Sequence, residues 1–374
     1  MKKIFCVVLC IAVFLLIFPV NAEAVSAKSA VVICGDTGEI LYSKNCDTRM
    51  PMASTTKIMT ALLLCENGDL EREITVTKEM VAVEGSSMGL LAGDKVTLYG
   101  LLYGMMLASG NDAANVTAYT LGGSVDGFAA QMNRKAKEIG MQNTHFETPS
   151  GLDSKEHYST AYDMALLARC ALLNEDFAKA VSSKSATLEY GNPPYKRTLT
   201  NHNKLLKFFD GAIGVKTGFT KKSGRCLVSA AERDGKKVLA VTLNDPDDWQ
   251  DHKSMLEYGL SKIQKTQISP PKTDYKISVI GGVSDEINVK IEPYVVTSLD
   301  SKNFSCEVRL PQFVYAPVKK GETLGNAVYK NGETVIKTIP IYANYGIEQT
   351  NLKKSFFEEL KENMKCIFNK IWEK

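Results

Sequence analysis

Three short motifs in the chain could together carry out acyl transfer on an amide. STTK occupies residues 54–57, SGN residues 109–111 and KTG residues 216–218. A serine hydroxyl is a poor nucleophile until a neighbouring base takes its proton, and residues three apart share one face of a helix. Lys57 could be that base for Ser54 only if burial or a nearby cation kept it uncharged. The pair therefore predicts a serine nucleophile with a lysine base.

Chance matches to the same motifs occur elsewhere, and their context separates them. S-x-x-K recurs at 269–272, S-x-N at 43–45 and 301–303, and KSG at 222–224 approximates KTG. The first of these contains two consecutive prolines, where helical alignment is not expected. SGN instead falls in a gap between two predicted helices, and KTG falls on a predicted strand, where a glycine lets a substrate backbone approach closely.

A second candidate nucleophile is Ser87. Residues 85–89 read GSSMG and match the G-x-S-x-G elbow of α/β-hydrolases, but that elbow needs a following helix, and residues 90–95 read as loop. The histidines are His145, His157, His202 and His252. None has the context of a triad partner or the spacing of a zinc pair, so we predict no metal site. Ser87 is interpreted as structural or as part of the cleft wall.

The elements expected to position the motifs are strands at both ends of a domain and helices in its middle. Predicted strands cover 30–34, 39–44, 213–219, 226–233 and 236–243, and predicted helices cover 54–66, 97–107, 112–121, 125–139, 162–173 and 249–263. The first helix is apolar on almost every side, which is typical of a helix in the middle of a domain. The pattern predicts an α+β domain whose antiparallel sheet combines both ends of the chain.

Five segments are predicted along the 374 residues. They are a signal peptide at 1–24, a catalytic domain at 25–264, a linker at 265–274, a small β-rich domain at 275–345 and an amphipathic helix at 350–374. The first has a positive start, an apolar core and a small-x-small cleavage site; its apolar run is short for an uncleaved anchor. The last places its aromatic and aliphatic residues on one face. We expect it to lie on a membrane surface, with packing on the protein or a coiled coil as alternatives.

The composition indicates which classes of binding partner are to be expected. Apolar residues are 44% and charged residues 23% of the chain, as in ordinary globular proteins, and a net charge of +3 does not indicate nucleic acid as a partner. Signal cleavage would leave seven cysteines, at 34, 46, 65, 170, 226, 306 and 366. Without metal-knuckle spacing, they are interpreted as small buried hydrophobes.

Taken together, the motifs resemble the D-alanyl-D-alanine carboxypeptidases, low-molecular-mass penicillin-binding proteins whose serine peptidase family is related to class A β-lactamases. Supporting stretches are GSSMG at 85–89, NTHF at 143–146, GLD at 151–153, HYST at 157–160 and VKTGFT at 215–220. The similarity runs from about residue 27 to residue 263 and continues more loosely through the β-rich domain to the terminal helix. It implies a β-lactamase/transpeptidase-like fold for the first domain.

The resemblance also implies a role for each residue of the first two motifs. Ser54 would form the acyl ester and Lys57 would accept its proton. Ser109 would relay a proton to the departing D-alanine, and Asn111 would hydrogen-bond the substrate peptide. The family needs neither a metal nor an organic cofactor.

For the third motif, the resemblance implies binding of the substrate. Lys216 and Thr217 would hold its terminal carboxylate, beside Gly218, and the backbone N–H groups of Ser54 and Phe219 would form the oxyanion hole. The family often has histidine in place of Phe219. The backbone donor is kept, but that departure puts local substrate preference in doubt.

The expected function is removal of the terminal D-alanine from peptidoglycan pentapeptides, on the outer face of the cytoplasmic membrane and facing the wall. β-Lactam antibiotics would be inhibitors, and residues 350–374 would contact the membrane. One alternative is a β-lactamase, which would need a carboxylate for fast deacylation that we do not identify. A catalytically silent wall-binding or antibiotic-sensing module is another, and endopeptidase or transpeptidase action on cross-links is a third.

Overall fold

A computed structural model describes residues 25–272, 274–299, 303–350, 358 and 360–365. The predicted signal peptide at 1–24 and Cys366 lie outside the described residues. The chain divides into two compact units. The first extends to Gln264 and includes Thr297–Leu299, and the second comprises Lys265–Val296 and the residues from Asp300 onward.

Two antiparallel sheets form the strand layers of the first unit. Its strands are β1 (Ser29–Cys34), β2 (Ile40–Lys44), β3 (Glu73–Thr75), β4 (Lys95–Thr97), β5 (Ser185–Gly191), β6 (Pro194–Thr200), β7 (Ala212–Thr220), β8 (Gly224–Arg233) and β9 (Lys236–Leu243). The main sheet has the order β2-β1-β9-β8-β7, and the smaller sheet the order β3-β4-β5-β6. Strand β1 pairs with β9, with Ser29 opposite Leu243. Both ends of the domain therefore meet in the middle of the main sheet.

Helices cover both faces of the main sheet. They are α1 (Lys57–Asn67), α2 (Leu98–Met106), α3 (Asn111–Gly122), α4 (Val125–Ile139), α5 (Ala161–Ala171), α6 (Glu175–Ser182), α7 (Leu205–Phe208) and α8 (Asp248–Lys262). Successive side chains of a strand point to opposite faces. Accordingly, Val31 and Ile33 of β1 belong to the large core that contains α1, whereas Val32 belongs to the core that contains Leu256 of α8. Helix α1 is buried along most of its length.

The observed architecture confirms the predicted α+β fold and its antiparallel sheet from distant chain segments. Strands β8 and β9 form an antiparallel hairpin with Asp234-Gly235 at its turn, as expected for an Asp-Gly pair between two strands. Two differences concern the elements near the site. Ser54 lies in a short 3-10 turn, Ala53–Thr56, before the α-helix rather than inside it. The β5–β6 hairpin and helix α6 were not predicted, although Ala186, Leu188 and Tyr190 of β5 alternate with exposed polar residues in the pattern of a half-buried strand.

Between residues 265 and 350, the described part of the second unit is all-β, as predicted. Its strands are β10 (Gln264–Ile268), β11 (Asp274–Ile280), β12 (Glu286–Lys290), β13 (Tyr294–Ser298), β14 (Phe304–Arg309), β15 (Phe313–Tyr315), β16 (Thr323–Asn331) and β17 (Thr334–Tyr342). Two three-stranded sheets, β12-β11-β15 and β14-β16-β17, contribute to a core of its own that includes Ile277, Val289 and Tyr329. Residues 265–268, predicted as linker, are strand.

Of the predicted terminal helix at 350–374, only residue 350, residue 358 and residues 360–365 are described. Residues 358 and 360–365 are helical and exposed, including Leu360 and Met364. Across the described ranges, no helix has the length and apolar character needed to cross a membrane.

Candidate active site

Ser54 is presented by a tight turn at the start of helix α1. Ala53, just before it, has φ +48°, in the left-handed region that non-glycine residues seldom adopt. Thr55 Oγ1 donates a hydrogen bond to the carbonyl oxygen of Met52 at 2.6 Å, within the same turn. Backbone strain that the surroundings hold in place often occurs at functional sites. Here it fixes the direction in which the Ser54 side chain leaves the turn.

Lys57 is the most constrained side chain near Ser54. Its Nζ lies 2.9 Å from Ser54 Oγ, 2.7 Å from Asn111 Oδ1 and 2.7 Å from the carbonyl oxygen of Ser150. The side chain is 0% exposed. Burial, and then the charge of Lys216, hold the pKa of Lys57 well below its ordinary value, while Asp112 acts in the opposite direction. The amine that contacts the candidate nucleophile is therefore the kind that can lose its proton.

The SGN motif forms the connection between α2 and α3, as predicted. Ser109 has φ +58°, and its Oγ accepts a hydrogen bond from Lys216 Nζ at 3.0 Å. Asn111 is the first residue of α3; its Nδ2 donates to the carbonyl oxygen of Glu84 at 2.6 Å while its Oδ1 faces Lys57. The amide is thus fixed in one orientation by a donor contact on one side and an acceptor contact on the other.

The KTG motif lies on β7, at the edge of the main sheet. Lys216 is 2% exposed, and burial lowers its pKa to about 7. Its Nζ donates to the carbonyl oxygen of Thr217 at 2.8 Å in addition to Ser109. A Cβ at Gly218 would lie 3.0 Å from the backbone nitrogen of Ser54. Glycine therefore allows the strand to approach the nucleophile turn closely.

All three predicted motifs meet at one cleft of about 360 Å³. Its lining includes Ser54, Ser109, Thr217, Gly218 and Phe219. Ser87 has a different environment: its Oγ donates to Asp112 Oδ2 at 2.5 Å, and the same carboxylate accepts from the backbone nitrogens of Met88 and Leu90. Asp112 thus holds the 85–90 loop in place, in agreement with the structural interpretation of Ser87.

Six further residues line the cleft but belong to no predicted site. They are Ser86, His202, Lys204, Arg225, Asp248 and Trp249. Lys204 Nζ and Arg225 Cζ each lie 5.7 Å from the centroid of the Trp249 ring, and Arg225 pairs with Asp248 at 2.7 Å. One sequence signal could have found Arg225. The short connection between the predicted strands at 213–219 and 226–233 is compatible with a hairpin, and in the structure Arg225 of β8 lies opposite Phe219 of β7. The others come from separate elements, with no spacing that links them.

Two family descriptions match the chain. The first is D-alanyl-D-alanine carboxypeptidase, over residues 17–247, and the second is the C-terminal domain of penicillin-binding protein 5, over residues 267–349. The first match covers more than half of the chain. Together they confirm the resemblance that the motifs indicate.

Individual relatives agree with the family matches. The chain is 33% identical over 351 residues to the D-alanyl-D-alanine carboxypeptidase DacF of Bacillus subtilis, covering 90% of this chain and 89% of the relative. Among solved structures, the DacD carboxypeptidase of Francisella tularensis has a TM-score of 0.63 and 29% identity, covering 90% of this chain and 97% of that one. The Streptomyces K15 DD-transpeptidase has a TM-score of 0.62 and 35% identity, covering 64% and 99%.

Proposed function

Because the chain belongs to the D-alanyl-D-alanine carboxypeptidase family of serine peptidases, we propose that Ser54 forms the acyl-enzyme when the terminal D-alanine of a peptidoglycan pentapeptide is removed. The observation that carries this assignment is the contact at 2.9 Å between Ser54 Oγ and the fully buried Lys57 amine. The SGN loop and the KTG strand contribute to the same cleft.

Lys57 has the hydrogen-bond partners that an uncharged amine needs. A neutral amine has two N–H groups and one lone pair. The carbonyl oxygens of Asn111 and Ser150 are acceptors, so they take the two N–H groups. The lone pair then points to Ser54, whose hydroxyl hydrogen it accepts as the oxygen attacks the substrate carbonyl. General-base assistance of this kind contributes on the order of 10²- to 10⁴-fold.

Lys216 and Thr217 bind the terminal carboxylate of the substrate in this proposal. Thr217 and Ser109 line the cleft. The buried Lys216 amine donates a hydrogen bond to Ser109 Oγ and so lies next to the cleft. A carboxylate beside Lys216 favours the protonated amine. Ser109, between Lys216 and the cleft, then passes a proton to the nitrogen of the departing D-alanine. Asn111 binds the peptide on the other side of the scissile bond.

The carbonyl oxygen needs donors when it becomes an oxyanion. The close approach of Gly218 to the backbone nitrogen of Ser54 brings the next residue, Phe219, to the same side of the turn. We assign the backbone N–H groups of Ser54 and Phe219 to this role. Such donors are worth roughly 3 kcal/mol each in transition-state stabilisation. After D-alanine leaves, water hydrolyses the Ser54 ester and returns the serine hydroxyl.

Mass spectrometry after treatment with benzylpenicillin tests the nucleophile. The wild type should gain one β-lactam on the peptide that contains Ser54, Ser54→Ala should gain none, and Ser87→Ala should react like the wild type. D-Alanine release from a pentapeptide should be lost only in Ser54→Ala. A label on another serine would overturn the assignment.

Three alternatives to this function predict different results in these or related assays. Fast turnover of a chromogenic cephalosporin, without a lasting adduct, would favour a β-lactamase. Absence of both adduct and D-alanine release would favour a silent binding module. Release of cross-linked products from peptidoglycan would indicate endopeptidase action.

The proposed site of action is the outer face of the cytoplasmic membrane. Residues 1–24 would direct export, the 265–274 segment would connect the catalytic domain to the β-rich domain, and 350–374 would bind the membrane surface. The exposed Leu360 and Met364 support an apolar contact there. Deletion of residues 352–374 should release the exported protein from membranes. Unchanged membrane association would contradict this role of the terminal segment.

A further inference from the structure

His157 belongs to the HYST stretch and is one of the most enclosed titratable groups near the cleft. It is 4% exposed. Its Nε2 lies 2.9 Å from Thr56 Oγ1, and its Nδ1 accepts a hydrogen bond from the backbone nitrogen of Glu147 at 3.0 Å. The ring of Phe146 packs edge-on against it, with the centroids 5.9 Å apart. The side chain therefore has a specific contact on each ring nitrogen.

The contacts fix the tautomer. A backbone N–H can only donate, so Nδ1 must present a lone pair to Glu147. The proton of the neutral ring is then on Nε2, which donates to Thr56 Oγ1. Since both ring nitrogens are engaged, His157 is not positioned as a general base for Ser54.

The two partners of His157 belong to the two segments that surround Lys57. Thr56 is the last residue of the 3-10 turn that carries Ser54. Glu147 begins the 147–151 loop, in which the carbonyl oxygen of Ser150 accepts from Lys57 Nζ. A Cβ at Gly151 would lie 1.9 Å from the carbonyl oxygen of Ala53, so the loop and the turn are in direct contact. His157 therefore connects the 147–151 loop to the nucleophile turn through one hydrogen bond to each.

We propose that His157 is a positioning residue for acyl transfer: in its Nε2–H form it ties the 147–151 loop to the nucleophile turn and so holds the Ser150 carbonyl against the Lys57 amine. This inference rests on the proposed roles of Ser54 and Lys57. Without the tie, the Ser150 oxygen and the Ser54 hydroxyl no longer keep fixed distances to the same amine. Displacements of about 1 Å in such groups reduce rates by roughly 10²-fold.

Protonation of His157 would break the tie, because an imidazolium cannot accept from the Glu147 N–H. Burial lowers the pKa of His157 to about 4. The charged groups that face it are Glu147, which favours the protonated ring, and His145 and Lys222, which oppose it. The neutral form is thus maintained at neutral pH, and the tie is lost only under acid conditions.

Three variants separate the two hydrogen bonds. His157→Gln places an amide nitrogen near the position of Nε2 and keeps a donor for Thr56. His157→Asn places an amide oxygen near the position of Nδ1 and keeps the acceptor for Glu147, but it is too short to reach Thr56. His157→Ala keeps neither. His145→Ala is the matched control, because its ring contacts the Glu156 carbonyl rather than the nucleophile turn.

The readout is benzylpenicillin acylation of the full exported chain, resolved into the dissociation constant of the first complex and the acylation rate constant, between pH 4 and pH 7. At pH 7 we expect the rate constant to fall about 10²-fold in all three variants, because each lacks at least one of the two hydrogen bonds, with unchanged dissociation constants. Relative to the wild type, His157→Gln should lose less rate as the pH falls toward 4. At pH 7, His145→Ala should be acylated at the wild-type rate.

Other outcomes separate this inference from the proposed function. Wild-type acylation rates in any of the three His157 variants would overturn the positioning role. An identical acid limb in the wild type and His157→Gln would overturn it as well. If the wild type itself forms no Ser54 adduct, the proposed function fails instead. Thermal unfolding of each variant shows whether it is folded, and the Gln pH profile remains informative if the Ala variant is not.

Discussion

Lys57 and Lys216 are two fully buried amines, and the charge of Lys216 lowers the pKa of Lys57. Burial, which is the larger cause for Lys57, also brings the pKa of Lys216 to about 7. The charge of Lys216 thus favours the neutral form of the Lys57 amine. The proposed mechanism needs this arrangement, since the base must be neutral while the carboxylate-binding amine is charged.

The opposite charge requirements of Lys57 and Lys216 lead us to expect a two-sided pH profile for acylation by a carboxylate-bearing β-lactam. The second-order rate constant should fall at low pH, where Lys57 gains a proton. It should fall again above about pH 7, where Lys216 loses one. Lys216→Arg keeps its charge and should move the alkaline limb to higher pH, even if its maximal rate is lower. If the alkaline limb of Lys216→Arg lies at the same pH as that of the wild type, a group other than Lys216 is responsible for it.

Gly85→Ala should slow acylation by displacing Asn111. The added Cβ would lie 2.7 Å from Asn111 Nδ2, which must then move, and Asn111 Oδ1 would leave Lys57. Gly93→Ala is the matched control, because Gly93 has nearly the same φ, +93° against +91°, with nothing within 4 Å of its added Cβ. Both variants should be less stable by about 1 kcal/mol, but only Gly85→Ala should lose roughly tenfold or more in acylation rate. Equal acylation rates in the two variants would show that the Asn111 position is not critical.

Lys204 should attract anionic substrates to the cleft. Asp248 pairs with Arg225 and balances its charge. Lys204 therefore leaves the part of the cleft wall around Trp249 with one excess positive charge. Lys204→Glu should reduce the second-order rate constant several-fold at low salt, and the reduction should shrink as ionic strength rises. Lys207→Glu, on α7 and outside the cleft lining, makes the same charge change as a control. A salt-independent loss, or equal losses in the two variants, would exclude electrostatic attraction at this wall.

His252 should make stability depend on pH. It is fully buried between the hydroxyls of Ser229 and Thr242, and burial lowers its pKa to about 3. Below its unfolded pKa of about 6.5, the unfolded chain binds a proton that the folded chain does not, so the free energy of unfolding falls as pH falls. From pH 6 to pH 4 this amounts to about 2 kcal/mol.

Chemical denaturation at pH 6 and pH 4 measures the contribution of His252. His252→Gln should lose this part of the pH dependence, whereas His145→Gln should keep it. If both variants retain the wild-type slope, other groups are responsible for the loss of stability in acid.

Sequence patterns are informative about the centre of the first domain because burial there leaves few choices. Strands β1, β8 and β9 are buried on both faces, and helix α1 is buried nearly all round, so each shows as an almost continuous apolar run. The motif residues were predicted because their chemistry requires fixed local spacing. The 3-10 turn at Ser54 was not, since it depends on contacts with Gly151 and Gly218, which are distant in sequence.

The residues of the cleft wall around Trp249 could not be grouped from local sequence patterns. Lys204 precedes a four-residue helix, Arg225 is the second residue of strand β8, and Trp249 is the second residue of helix α8. Each of these residue types is ordinary at its position in its own element, so none of them indicates a site by itself. Their proximity arises only when the main sheet brings those elements together.

The central place of β1 in the main sheet has a consequence for how the protein reaches its folded state. The strand that leaves the ribosome first has β9, more than 200 residues later, as one of its two neighbours. The sheet cannot close until almost the whole catalytic domain has been synthesised, and pairings of such long range form slowly. The Ser54–Lys57 pair therefore reaches its final geometry only after both ends of the domain have met.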